Sequence, residues 1–267
     1  MSPETLFSKP PFSKARASRS DVAVIMKEAA GRVEQPARRL FLRQALGLGT
    51  LTLLSGCDVV DGVSAEKMLG GMSDFNDRVQ AWLFNPRRLA REYPESAITR
   101  PFPFNAFYPR EKAPQIVAAD FRLNITGMVE NKEDWTIERL HELPRFTQIT
   151  RHICIEGWSA IGKWSGVRFS DFLTRIGADL SAKYVTFRCD DNYLTSLDMA
   201  TALHPQTQLT FWFDDEVLPR EYGFPMKLRV PTKLGFKNPK HIGEIEVGNE
   251  YNGGYWETYG YNWFSGL

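Results

Sequence analysis

Residues 151–166 read RHICIEGWSAIGKWSG, the stretch of this chain with the most chemistry in the fewest residues. Cys154 stands between Ile153 and Ile155, a setting in which a lone cysteine ordinarily behaves as a small buried hydrophobe. Arg151 nearby favours the thiolate, the form that ligates metals and acts as a nucleophile. From these residues alone, a packing role for Cys154 and a ligand role both stay open.

Outward from that stretch, composition narrows the classes. The chain has 267 residues, 43% hydrophobic and 13% aromatic, enough for the core of a globular protein. Residues 1–57 carry a net charge of +5 and residues 58–267 a net charge of −4. A basic leader ahead of a mildly acidic body points to targeting and argues against nucleic-acid binding. Cys57, Cys154 and Cys189 are too few and too scattered for a disulfide framework, and no CxxC or CxxCH spacing occurs. His141, His152, His204 and His241 are isolated, so a zinc site built from histidines is not expected.

The leader has its own grammar. Arg38-Arg39 precedes Leu40-Phe41-Leu42, and Gln44–Gly56 follows as an uncharged apolar run of 13 residues. That is too short for a spanning helix, which needs about 20 apolar residues, and suits the core of an export signal. The segment resembles a twin-arginine leader. Its end, Leu54-Ser55-Gly56-Cys57, resembles a lipobox in which Cys57 would be acylated; a plain cut after Val63-Ser64-Ala65 is the alternative. The expected organisation is a signal over 1–57, a linker with a short helix over 58–100, and a catalytic body over 101–267.

Along the body, Ser73 is placed to cap a short helix with Phe75, Val79, Trp82 and Leu83 on one face. The proline-rich run from Pro94 to Pro114 reads as loop. Strands are expected at Phe121–Val129, Lys183–Arg188, Leu209–Phe213, Lys227–Val230 and His241–Val247. Short helices are expected from a Thr136 cap to Leu143 and from a Ser170 cap over Asp171–Ile176. Short helices among irregularly spaced strands give an α+β fold rather than a doubly wound sheet. The tail from Gly253 to Phe264 holds six aromatic residues in twelve, read first as core or wall and second as a substrate-pocket rim.

Residues 151–166 resemble the molybdenum-ligand loop of the sulfite oxidase-type family, and within it the periplasmic protein-methionine-sulfoxide reductase branch. Arg151, Cys154, Glu156, Trp158, Ser159 and Trp164-Ser165-Gly166 carry the likeness. Three further segments agree in sequence order. Phe104-Asn105-Ala106-Phe107-Tyr108 resembles the family's pterin-contacting Asn-x-Phe-Tyr, with Pro109 where Glu is usual. Cys189 ends Tyr184–Cys189 where that branch has a cofactor-contacting Thr. Tyr222–Pro231 and Gly235–His241 resemble the closing cofactor segment, with Lys227 where Arg is usual and Tyr222 where the branch has Asn.

The resemblance implies a single mixed-sheet molybdopterin-binding domain. It implies that Cys154 ligates molybdenum and that Asn105, Tyr108, Cys189, Lys227, Asn238 and Lys240 hold the pterin. A soft thiolate suits a metal already bound by dithiolene sulfur. The implied reaction moves an oxygen atom, first as reduction of a small-molecule or protein sulfoxide and second as sulfite oxidation. A metal-free, lipid-anchored binding module of the same fold is the alternative from another class. The implied setting is the periplasm, tethered to the inner membrane through Cys57. The chain is expected to be a monomeric catalytic subunit exchanging electrons with a haem-bearing membrane cytochrome, since no haem or iron–sulfur motif of its own is present.

Overall fold

The two sheets are joined by loops that bring five separated segments of the chain to one cleft. The structure is a computed structural model describing residues 65–267, with side chains from residue 70. The segments expected to be a twin-arginine leader and a lipobox lie outside the described residues, and the alternative cut after Ala65 falls at the first of the described residues. Ser73–Leu267 is one compact unit, separate from Met1–Met72. The described elements are helix α1 (Ala65–Leu83), β1 (Asn124–Gly127), α2 (Ile137–His141), β2 (Phe146–Ile153), β3 (Ser159–Arg168), α3 (Phe169–Arg175), β4 (Tyr184–Cys189), β5 (Leu194–Asp198), α4 (Met199–Ala202), β6 (Gln208–Phe213), β7 (Glu216–Val217), β8 (Lys227–Arg229) and β9 (Ile242–Gly248).

One sheet has the order β1-β9-β4-β5, and the other runs β2-β3-β6-β7 with β8 added on β6. β1 and β9 are parallel and the remaining pairs antiparallel, a mixed α+β architecture as expected. Phe121, Leu123, Ile125, Val185, Phe187, Ile245 and Val247 alternate into a shared core with Phe169, Phe172 and Leu173 of α3. Trp164 of β3 anchors a second cluster with Phe102, Ala160 and Leu218. Gly166 matters here: a Cβ at this position would lie 1.8 Å from the Leu209 carbonyl oxygen. β3 and β6 shift register between Ser165 and Gly166, and only glycine allows the two backbones to approach there.

Thr136 caps α2 as expected, accepting a hydrogen bond from the Arg139 N–H at 3.3 Å, a contact that contributes about 1 kcal/mol. Ser170 does not cap α3. That helix starts at Phe169 straight from β3, Arg168 is its cap without a side-chain bond, and the Phe169 N–H donates to the Thr207 carbonyl instead. Ser73 likewise lies inside α1, because Ala65–Met72 continue the helix upstream. The strands β2, β3, β5 and β7 were not expected, and most of β3 lies in the stretch read as a ligand motif.

Segment 73–100, expected as linker and helix, is bonded to the body. The Ala90 amide donates to Gln206 Oε1 at 2.7 Å and the Thr99 amide to the Ile161 carbonyl at 2.9 Å. Among the described residues no helix is long and apolar enough to cross a membrane.

Candidate active site

Cys154 sits at the tip of the β2–β3 hairpin. Its N–H donates to the Trp158 carbonyl at 2.9 Å, and the Gly157 N–H donates back to the Cys154 carbonyl at 3.2 Å. Gly157 has φ +90°, a conformation an L side chain resists, so Cys-Ile-Glu-Gly-Trp is a turn sequence as much as a ligand motif. The thiol donates to Glu156 Oε2 at 3.7 Å, and the same oxygen accepts from Trp158 Nε1 at 2.8 Å. Burial and the Glu156 carboxylate push the thiol pKa up, against a downward pull from the Glu156 and Ile155 amides. Arg151 does not assist, contrary to the sequence reading. Strand alternation turns it outward, where its guanidinium packs 5.3 Å from the centre of the Tyr93 ring.

The hairpin tip opens on a cleft of about 220 Å³. Asn105, Cys154, Asn238 and Lys240, four of the expected site residues, line it together. The second sheet supplies Asp191 and Tyr193 from the β4–β5 turn, and the tail supplies Trp256 and Tyr261. Lys240 Nζ donates to the carbonyls of Asn105 (2.6 Å) and Glu221 (3.0 Å), clamping the first cofactor-like segment onto the last. Asn238 Oδ1 accepts from Arg229 (2.8 Å) and from the Val230 amide (2.8 Å), so its oxygen shapes the loop rather than facing a ligand.

The other expected residues stand behind the cleft wall. Tyr108 donates to Asp191 Oδ2 at 3.0 Å. Cys189 is buried in the core where β4 ends, and its backbone closes the turn that presents Asp191. Lys227 is buried with its ammonium 4.6 Å from the centre of the Trp164 ring. Lys237, within the basic segment, is paired with Glu257 and is not available to a ligand.

No role is read from the sequence for His152, Asp191 or Arg229, whereas Trp256 and Tyr261 belong to the tail whose second reading is a pocket rim. Of the first three, only His152 carried a usable signal, because period two puts it on the Cys154 face of β2, with Nε2 3.5 Å from the Asn105 amide nitrogen.

Residues 110–256, more than half of the chain, match the family described as "Oxidoreductase molybdopterin binding domain". The chain belongs to this family. As a molybdopterin-binding oxidoreductase it is 59% identical over 240 residues to the "Putative protein-methionine-sulfoxide reductase subunit YedZ1" of Azospira oryzae, covering 90% of this chain and 92% of that one. It is 30% identical over 183 residues to the "Protein-methionine-sulfoxide reductase catalytic subunit MsrP" of Burkholderia mallei, covering 60% of this chain and 55% of that one. The chain thus spans about half the length of that relative. The crystal structure of the sulfane dehydrogenase SoxCD from Paracoccus pantotrophus aligns with 52% of this chain and 40% of its own at 23% identity and a TM-score of 0.49.

The residues present fit an anionic pterin. Lys227, Arg229 and His152 are fully buried, and burial pushes all three pKa values down; Lys240 and Arg229 depress Lys227 further, and Arg229, Lys227 and Lys240 depress His152. Lys240 itself is brought down to about 8 and Arg229 to about 9, burial being the leading cause in both. His152 Nδ1, Arg229 Nε and His241 Nε2 are buried without a hydrogen-bond partner. A bound anion compensates such a cluster.

A lysine or arginine pKa depressed by folding means that the unfolded chain binds more protons, so stability rises with pH through that window. The cofactor-free chain should therefore melt at higher temperature at pH 9.5 than at pH 7, and the cofactor-loaded chain should show a smaller gain. Equal slopes in the two forms, measured by calorimetry, would detach the cations from the cofactor.

Proposed function

We propose that this chain is the catalytic subunit of an exported protein-methionine-sulfoxide reductase holding a molybdenum-pterin cofactor through Cys154. The observation that carries the reading is the convergence of Cys154, Asn105, Asn238 and Lys240 on one cleft backed by uncompensated cations. The names of the relatives support the substrate class. The cofactor, when bound, supplies two-electron oxygen-atom transfer.

The chain's own residues bind, orient and manage protons. Lys240, Lys227 and Arg229 supply positive charge for the pterin and its phosphate, with Asn105 and Tyr108 at its edge. Cys189 holds the Asp191 turn in place. Phe107, Phe236, Trp256 and Tyr261 give the cleft an aromatic wall. Such a wall suits the sulfur and methylenes of a methionine side chain. Sulfoxide reduction consumes two protons as water forms, and Asp191, whose pKa is raised mainly by burial, is placed in the cleft to hold one. Electrons enter from a haem-bearing membrane cytochrome, and the site is periplasmic, tethered through Cys57 after twin-arginine export.

Assay of the molybdenum-loaded enzyme with a reduced dye and sulfoxide, and in parallel with an oxidised dye and sulfite, tests the reaction. Turnover of peptidyl methionine sulfoxide is expected, and turnover of sulfite alone would move the chain to the oxidising branch. Mass spectrometry of the mature N-terminus tests the tether: acylated Cys57 is expected, and an unmodified start at Glu66 would remove it.

A further inference from the structure

Helix α1 docks on the body by the wrong face. Ser73, Asp77 and Gln80, spaced i, i+4, i+7, all bond to the C-terminal tail. Asn262 Nδ2 donates to the Ser73 carbonyl (2.9 Å) and Oγ (3.1 Å). The Trp263 and Phe264 amides each donate to an Asp77 carboxylate oxygen at 2.9 Å, and the Gly266 amide donates to Gln80 Oε1 at 2.8 Å.

The apolar stripe at the complementary spacing, Phe75, Val79 and Trp82 with Leu83 beside it, is therefore turned away from the tail. Phe75 is 64% exposed, Trp82 78% and Leu83 65%. An amphipathic helix ordinarily buries that stripe against its own domain. Here the polar face takes that place.

The surroundings of the stripe select its occupant. Between Asp74 and Glu92 the exposed charged residues are Arg78, Arg87, Arg88 and Arg91 against Asp74 and Glu92, and exposed Leu89 lies among the arginines in sequence. Tryptophan and leucine flanked by arginine fit the boundary between acyl chains and anionic headgroups. The sequence adds continuity, since the apolar run Gln44–Gly56 and Cys57 precede this helix along the chain, with residues 58–64 between them.

We infer that the outward face of α1 lies on an anionic phospholipid surface, with Phe75, Trp82 and Leu83 entering the headgroup boundary and the arginines meeting lipid phosphate. This second, non-covalent contact rests on the membrane-side location proposed above. A single lipid chain gives only marginal binding, and a helix face with a basic rim is the kind of second signal that makes attachment stable.

The test uses the full-length holoenzyme mixed with vesicles of phosphatidylcholine, with and without phosphatidylglycerol, doped with a photoreactive acyl-chain lipid. Peptides spanning 73–91 are expected to take label several-fold above other surface peptides of the body, and more strongly with phosphatidylglycerol present. Phe75→Ser with Trp82→Ser should bring labelling down to the body's level while dye-driven turnover and the circular dichroism spectrum stay unchanged. Arg78→Gln with Arg87→Gln, which leaves the apolar stripe intact, should abolish the phosphatidylglycerol preference. Labelling of 73–91 no higher than elsewhere would overturn the inference. So would cross-linking of this face, in native membranes, to a protein and not to lipid. Because the vesicles are supplied in the tube, such a failure leaves the export and tether proposals standing, and an unlipidated N-terminus leaves this result standing.

Discussion

Cys154→Ser is expected to lower dye-driven sulfoxide turnover by more than about 100-fold, the upper range for losing even an outer-sphere partner of a metal site. The fold should survive, because the hairpin tip is held by the Cys154 and Gly157 backbone amides and by the Trp158–Glu156 bond, none of which needs sulfur. Hydroxyl is a harder and weaker ligand than thiolate and remains protonated at neutral pH. The buried thiol, pushed upward beside Glu156, is itself poorly ionised without a metal, so ligation must deprotonate it. A serine variant with an unchanged melting temperature and full turnover would remove Cys154 from the chemistry.

The second large effect is structural. Gly166→Ala places a methyl group where the Leu209 carbonyl oxygen already stands, 1.8 Å from the ideal Cβ. A backbone neighbour cannot swing aside as a side chain can, so β3 must separate from β6 or lose its register. Overpacking of this kind costs about 3 kcal/mol or more, and for a domain of this size that corresponds to a fall in Tm on the order of 10 °C. Differential scanning calorimetry checks it, and a variant melting within a degree or two of the parent would mean the strands tolerate separation. The neighbouring Gly157→Ala should be much milder, because a Cβ there meets nothing within 4 Å and only its φ of +90° is strained. The Trp164-Ser165-Gly166 part of the motif is thus chiefly strand pairing, with Ser165 and Thr147 hydroxyls 2.8 Å apart across β2 and β3.

What the sequence disclosed depended on how local the signal was. The α+β class followed from short helices among irregularly spaced strands, with apolar alternation legible around β1, and Thr136 announced its own helix. The Cys154 hairpin was hidden because its strands read as motif, and a motif carries no period. The cleft's far wall was hidden for a different reason. Asp191 and Tyr193 come from the tip of one sheet and Trp256 and Tyr261 from the tail, so only tertiary packing brings them to Cys154. Arg151 shows the converse error: three residues from the cysteine in sequence, it is turned by strand geometry toward Tyr93. Lys237 reads like Lys240 in sequence, yet Glu257, twenty positions later, claims it.

The central claim is that Cys154 supplies sulfur to the metal. X-ray absorption at the molybdenum edge of the purified protein measures this directly. Dithiolene sulfur plus one further sulfur neighbour is expected in the parent enzyme, with that one neighbour missing from Cys154→Ser and its pterin retained. The same sulfur count in both proteins, or no molybdenum in protein purified from molybdenum-replete cells, would contradict it.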